Sequence, residues 1–131
     1  MEASPIDCSS RDILSRPLLA LLLFLMPAVA IVVAGNSYFS TGWRTLIWTV
    51  SLGIMGIACL VNAARCGRVH CYLTGPFFLA MAVLTLLYGL GIAQLGRHGW
   101  NLLGSAILVG AIALCCIPEL LFGKYRKASR R

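Results

Sequence analysis

Four long apolar runs separated by short polar segments set the pattern of this chain. The first, residues 17–34, carries no charged side chain, and the others cover about residues 45–63, 76–95 and 101–122. A bilayer core is crossed by about 20 consecutive, mostly apolar residues in a helix. The pattern therefore predicts an all-α fold, an integral membrane four-helix bundle over residues 17–123. A polar lead, residues 1–16, is expected to be flexible or to lie on the surface, and residues 124–131 form a basic tail.

Local signals refine the spans. Pro17 suits a helix start, and Pro27 is expected to kink the first helix in its second half. Ala28-Val29-Ala30 after the Leu18–Met26 run also fits a secretory cleavage pattern, a competing reading of the first span. Gly53 and Gly56 invite close approach of a neighbouring helix, as do Ala106 and Gly110, spaced as small-xxx-small. Thr74-Gly75-Pro76 reads as the start of the third helix, with the threonine as its cap. Gly89 and Gly91 are expected to loosen its far end, and Pro118 to weaken the turn beside Cys115 and Cys116. Tyr38, Phe39, Trp43 and Trp100 lie between the runs, where aromatic side chains meet headgroups.

Composition agrees with the pattern. With 60% hydrophobic and 11% charged residues in 131, the chain is too apolar for a soluble domain. The net charge of +7 does not point to nucleic acid, because five of the eleven basic residues lie in the tail and no nucleic-acid motif appears. It points to topology. The lead, the segment between the second and third spans, and the tail share one side and hold nine Lys and Arg, whereas Arg44 and Arg97 lie on the other. By the positive-inside rule both termini are expected in the cytoplasm, with the protein multi-pass in the inner (plasma) membrane. Thiols on that side are kept reduced, so stable disulfides are not expected.

The chemistry is concentrated in CLVNAARCGRVHCYLTGPFF, residues 59–78, read as a polar hairpin between the second and third spans. Cys59 and Cys66 share a helical face with Asn62 between them, and Cys71 sits just before the expected start of the third helix, where Arg65, Arg68 and the helix N-terminus favour a thiolate. Cys115 and Glu119, four apart, share a face of the last span, while Cys116 points about 100° away. Cys66, His70, Cys71, Cys115, Cys116 and Glu119 thus form a candidate ligand set. Thiolates select soft or borderline ions such as Cu(I), Zn(II) and Hg(II), and a soft metal ion is the one cofactor the residues suggest. The competing view is that the cysteines, Cys59 above all, are small packing residues. Arg65 and Arg68, with Lys124, Arg126 and Lys127, are candidates for an anion or a lipid headgroup.

Residues 62–79, NAARCGRVHCYLTGPFFL, resemble a group of small bacterial inner-membrane proteins that share a CGR-x-HCY-x-TGPFF hairpin, and the likeness continues through LYGLG and the proline-glutamate end of the last span. That group implies a membrane fold and no activity. A looser resemblance is to small mercuric-ion transporters: Cys115 and Cys116 would match their vicinal pair, and Cys66 and Cys71 their second set. Those transporters carry the vicinal pair in the first span, whereas here it lies in the last. The reading that follows is non-enzymatic binding or transport of a soft metal ion. The alternatives are a non-enzymatic assembly partner that docks a larger membrane complex or anionic lipid through Arg65, Arg68 and the basic tail, and a thiol oxidoreductase resembling the four-helix quinone-coupled disulfide formers; the partners expected are the bilayer and a membrane protein or a second copy of the chain.

Overall fold

In a bilayer every backbone N–H and C=O needs an internal partner, and a helix supplies one to nearly all of them. The computed structural model describes residues 13–36 and 38–122, without the side chains of Leu14, Glu119 and Phe122. It contains four helices long and apolar enough to cross a membrane. We label them α1 (Pro17–Ala34), α2 (Thr41–Cys66), α3 (Val69–Gly89) and α4 (Gly99–Phe122). A single 3-10 turn, Ile13–Ser15, precedes α1, and no strand occurs among the described residues. Of the lead only Ile13 to Arg16 are described; Cys8 and the tail residues Lys124, Arg126 and Lys127 lie outside the described residues.

Pro27 widens α1 rather than breaking it. The proline has no N–H to give and its ring crowds the carbonyl one turn back. The residues before it, Leu21–Leu25, take up a π-helical turn in which the Met26 N–H reaches back to Leu21 O, and Met26–Ala34 then continues as α-helix.

The largest departure from the hydropathy pattern lies between the second and third runs. The polar stretch is helical on both sides of a link of only two residues, Gly67 and Arg68. Gly67 takes φ 62° and ψ 29°, the left-handed geometry that ends a helix, and its N–H donates to Ala63 O at 2.8 Å. Arg68 returns to extended backbone and α3 begins at once. Thr74-Gly75-Pro76 is therefore inside α3, not at its start. The Thr74 hydroxyl donates to its own helix at His70 O, 2.9 Å away, instead of capping it. At the other end α3 stops at Gly89, because Gly91 is again left-handed at φ 76°, and the apolar residues after it lie in a turn whose Ile92 and Ala93 N–H groups return to Leu87 O.

So short a link lays α2 and α3 antiparallel, and they form the most extensive helix pairing among the described residues. It is close because small residues face each other. A Cβ added at Gly56 would lie 2.8 Å from Leu79 Cγ and 3.1 Å from Gly75 O; one added at Gly75 would lie 2.8 Å from Leu60 Cγ and 3.3 Å from Gly56 O. Nearer the opposite end, Thr45 occupies the space over Gly89. Gly53, by contrast, faces open space. α1 packs on α2 and α4 on α3, so α2 and α3 are far more buried than the two outer helices. Between α1 and α4 an apolar groove of about 320 Å³ reaches Trp48 and Phe78, which leaves the four-helix bundle open on one side.

α4 is seated by Phe77, which fills the space over Gly110, and by Trp100, which meets Trp48 and Tyr88 edge-on with centroids 5.3 and 5.2 Å apart. Ala106, the other half of the expected small-residue pair, is exposed. Arg44 clasps this end. Its Nε donates to Ala34 O (3.1 Å) and its Nη2 to Asn36 O (2.8 Å), satisfying carbonyls at the C-terminus of α1, while its guanidinium lies 5.2 Å from the Trp100 ring centroid.

Two contrasts test this packing in detergent unfolding. Gly56→Ala is expected to lose about 1–3 kcal/mol by overpacking, whereas Gly53→Ala gains up to about 1 kcal/mol from helix propensity. Arg44→Ala is expected to cost about 1.5–3 kcal/mol in hydrogen bonds to a charged group, and Arg44→Lys, lacking the planar fork, to recover only part of it.

Candidate functional site

With only Gly67 and Arg68 between the helices, the last turns of α2 face the first turns of α3. Cys59, Asn62, Ala63 and Cys66 on one side, and His70, Cys71 and Thr74 on the other, are all buried, Asn62, Cys71 and Thr74 completely. Polar groups placed this deep need partners. The Asn62 amide supplies two: Oδ1 accepts the Ile13 N–H at 3.1 Å, and Nδ2 donates to Cys71 Sγ at 3.7 Å. Thr74 Oγ1 stands 3.5 Å from Cys59 Sγ as well as 2.9 Å from His70 O, and its single proton serves one of them at a time while its lone pairs accept from the thiol.

The two sulfurs that meet are those of Cys59 and Cys71. Their side chains interact across the hairpin, and His70 lies beside Cys71. Cys115, half-buried on α4, comes within electrostatic reach of Cys59. The unit is therefore a buried dithiol with an imidazole, an amide and a hydroxyl around it, bridging α2 and α3. No disulfide joins the five described cysteines.

This differs from the candidate set drawn from spacing. Cys66, His70, Cys71, Cys115, Cys116 and Glu119 do not form one cluster: among the described residues no three His, Cys, Asp or Glu side chains are grouped to hold a metal ion. Cys71 and His70 come together as expected, but Cys71 lies in the first turn of α3 and its sulfur partner is Cys59, not Cys66. Cys116 is exposed, and the Glu119 side chain lies outside the described residues. Arg65 is exposed in the last turn of α2, and Arg68 is half-buried in the link.

Spacing along one helix puts Cys59 and Cys66 on one face but does not bring Cys59 to Cys71 across the link. The missed signal was Gly67: a left-handed glycine there sets the register of a helical hairpin and so the pairing of positions across it. Compared with known proteins, the chain matches no family model, no curated protein and no solved structure.

Asn62 is the residue whose replacement separates the site from the fold around it. Asn62→Leu is expected to keep the helical hairpin but to leave the Ile13 N–H without its acceptor, at a cost of about 1–3 kcal/mol. Hydrogen exchange should show the Ile13 amide opening well before those of α2 and α3.

Proposed function

We propose that this chain is a multi-pass inner-membrane protein, with both termini in the cytoplasm, that binds a soft metal ion between Cys59 and Cys71. One observation carries the reading: two thiols from facing helices meet in a buried site. Two thiolates suit the soft ions Cu(I) and Hg(II), which thiolate ligands select. With a divalent ion they make a neutral unit, and neutrality is what an apolar interior requires of a buried charge. His70 beside Cys71 offers a nitrogen donor or a proton acceptor as a thiol ionises.

The surrounding residues fit a role in delivery. Cys116 is exposed on α4 and Cys115 next to it is half-buried toward the dithiol, so an ion exchanged from thiolate to thiolate would pass from the surface inward. Orientation is supported by charge, nine basic residues on one side of the spans against two on the other.

The test is titration of the purified protein with Hg(II) or Cu(I) in detergent under reducing conditions, read by ultraviolet thiolate-to-metal absorption and by metal content. One ion per chain is expected. Cys59→Ser and Cys71→Ser should each lower affinity by more than the roughly 10–100-fold typical of residues outside the ligand shell, while Cys116→Ser leaves equilibrium binding intact and slows loading. Binding that survives in both Cys59→Ser and Cys71→Ser would sink the proposal.

A further inference from the structure

Asn62 faces two ways. It is fully buried near the end of α2, and its amide accepts the Ile13 N–H on Oδ1 at 3.1 Å while Nδ2 donates to Cys71 Sγ at 3.7 Å. One planar group thus joins the turn before α1 to the dithiol between α2 and α3. Ile13 is buried as well, so the turn is packed where it meets the amide.

The two bonds depend on each other. A main-chain N–H can only donate, so it must meet the amide oxygen, and the other end of the amide must then be the NH2 group. With Ile13 in place the amide cannot turn over without setting donor against donor. Cys71 therefore meets an N–H, and that orientation is held from outside the hairpin. A neutral thiol is a weak acceptor. The sulfur of a metal-bound thiolate has no proton of its own and carries negative charge, and hydrogen bonds to ionised acceptors are roughly twice as strong as neutral ones. An ion at the dithiol strengthens the bond on one end of the amide and so steadies the bond on the other.

We propose that Asn62 is a positioning residue that couples the ion site to the N-terminal turn: an ion between Cys59 and Cys71 tightens the hold of Asn62 on Ile13, and a docked Ile13 raises the affinity for the ion. The inference rests on the ion site of the proposed function and adds to it a latch, the turn Ile13–Ser15. Coupling between two binding equilibria is reciprocal. Whatever draws Ile13 off Asn62 therefore lowers ion affinity by the factor by which the ion holds Ile13 on. Ile13 has no side-chain donor atom for a metal, so an effect of its N–H on affinity runs through the amide.

The full chain in detergent is studied under reducing conditions with and without one equivalent of Hg(II). Ion binding is read by ultraviolet thiolate-to-metal absorption, amide exchange by NMR and helix content by circular dichroism. Loading is expected to slow exchange of the Ile13 amide roughly five-fold or more, the lower end of usual coupling between sites. The slowing should exceed that of the Leu90 amide, which bonds to Leu86 O at the far end of α3. Ile13→Pro removes the N–H at the first position of its turn, where proline is accommodated, and should weaken Hg(II) binding by a similar factor. Ile13→Ala keeps the N–H and should bind close to wild type. Equal slowing at Ile13 and Leu90 overturns the coupling and leaves the ion site standing. Equal affinity of Ile13→Pro and Ile13→Ala in folded protein does the same. Absence of thiolate-to-metal absorption in the wild type removes the ion site itself, and the coupling with it.

Discussion

Where Gly56 passes Gly75, two helix backbones run so close that one added carbon on either meets a leucine of the other. That contact needs small residues on both helices and a register that brings them opposite each other. The register comes from Gly67, whose left-handed backbone ends α2 and leaves only Arg68 before α3 begins. In a bilayer the lipid is as apolar as the side chains, so helices associate through close packing and interhelical hydrogen bonds rather than through escape from water. α2 and α3 have both, and the outer helices are added to them.

The same register produces the chemistry. Near the link the facing positions are polar or thiol-bearing instead of small, and they pair as Asn62 with Cys71 and Cys59 with Thr74. Each is buried, and the partners lie on the opposite helix, on the N-terminal turn and, for Thr74, also one turn back at His70 O. Such a network resists sliding of the hairpin, because a shifted register would strand several buried polar groups at once. It also brings the Cys59 and Cys71 side chains together across the hairpin.

The two ends of the molecule are fastened by different means. At one, the Asn62 amide holds the turn before α1; at the other, Arg44 joins the end of α1 to α2 and rests over Trp100 of α4. By sequence, Arg44 is one of two charges opposite the basic side. In the fold it answers the unpaired carbonyls that every helix C-terminus leaves. The groove between α1 and α4 stays open because these fastenings act at the ends, and nothing between the two outer helices closes it.

Hydropathy alone determined that there are four apolar helices, and it located α1 and α4 to within a few residues, because a long uncharged run has few alternatives to a helix. It misplaced both ends of α3 and shortened α2 at both of its ends, since polar residues such as Asn62, Arg65 and His70 lower the local average without ending a helix; backbone geometry at Gly67 and Gly91 sets the ends instead. Local sequence also proposed Cys71 and His70 as chemistry. It did not propose Cys59 as the sulfur partner, Thr74 as a buried hydroxyl or Ile13 beside Asn62, because these pairings join residues far apart in the chain. Spacing along one helix reports which residues share a face, but not which face of another helix they meet. The link length, the opposed glycines and the buried amide decided that, and all three act only once the helices are in contact.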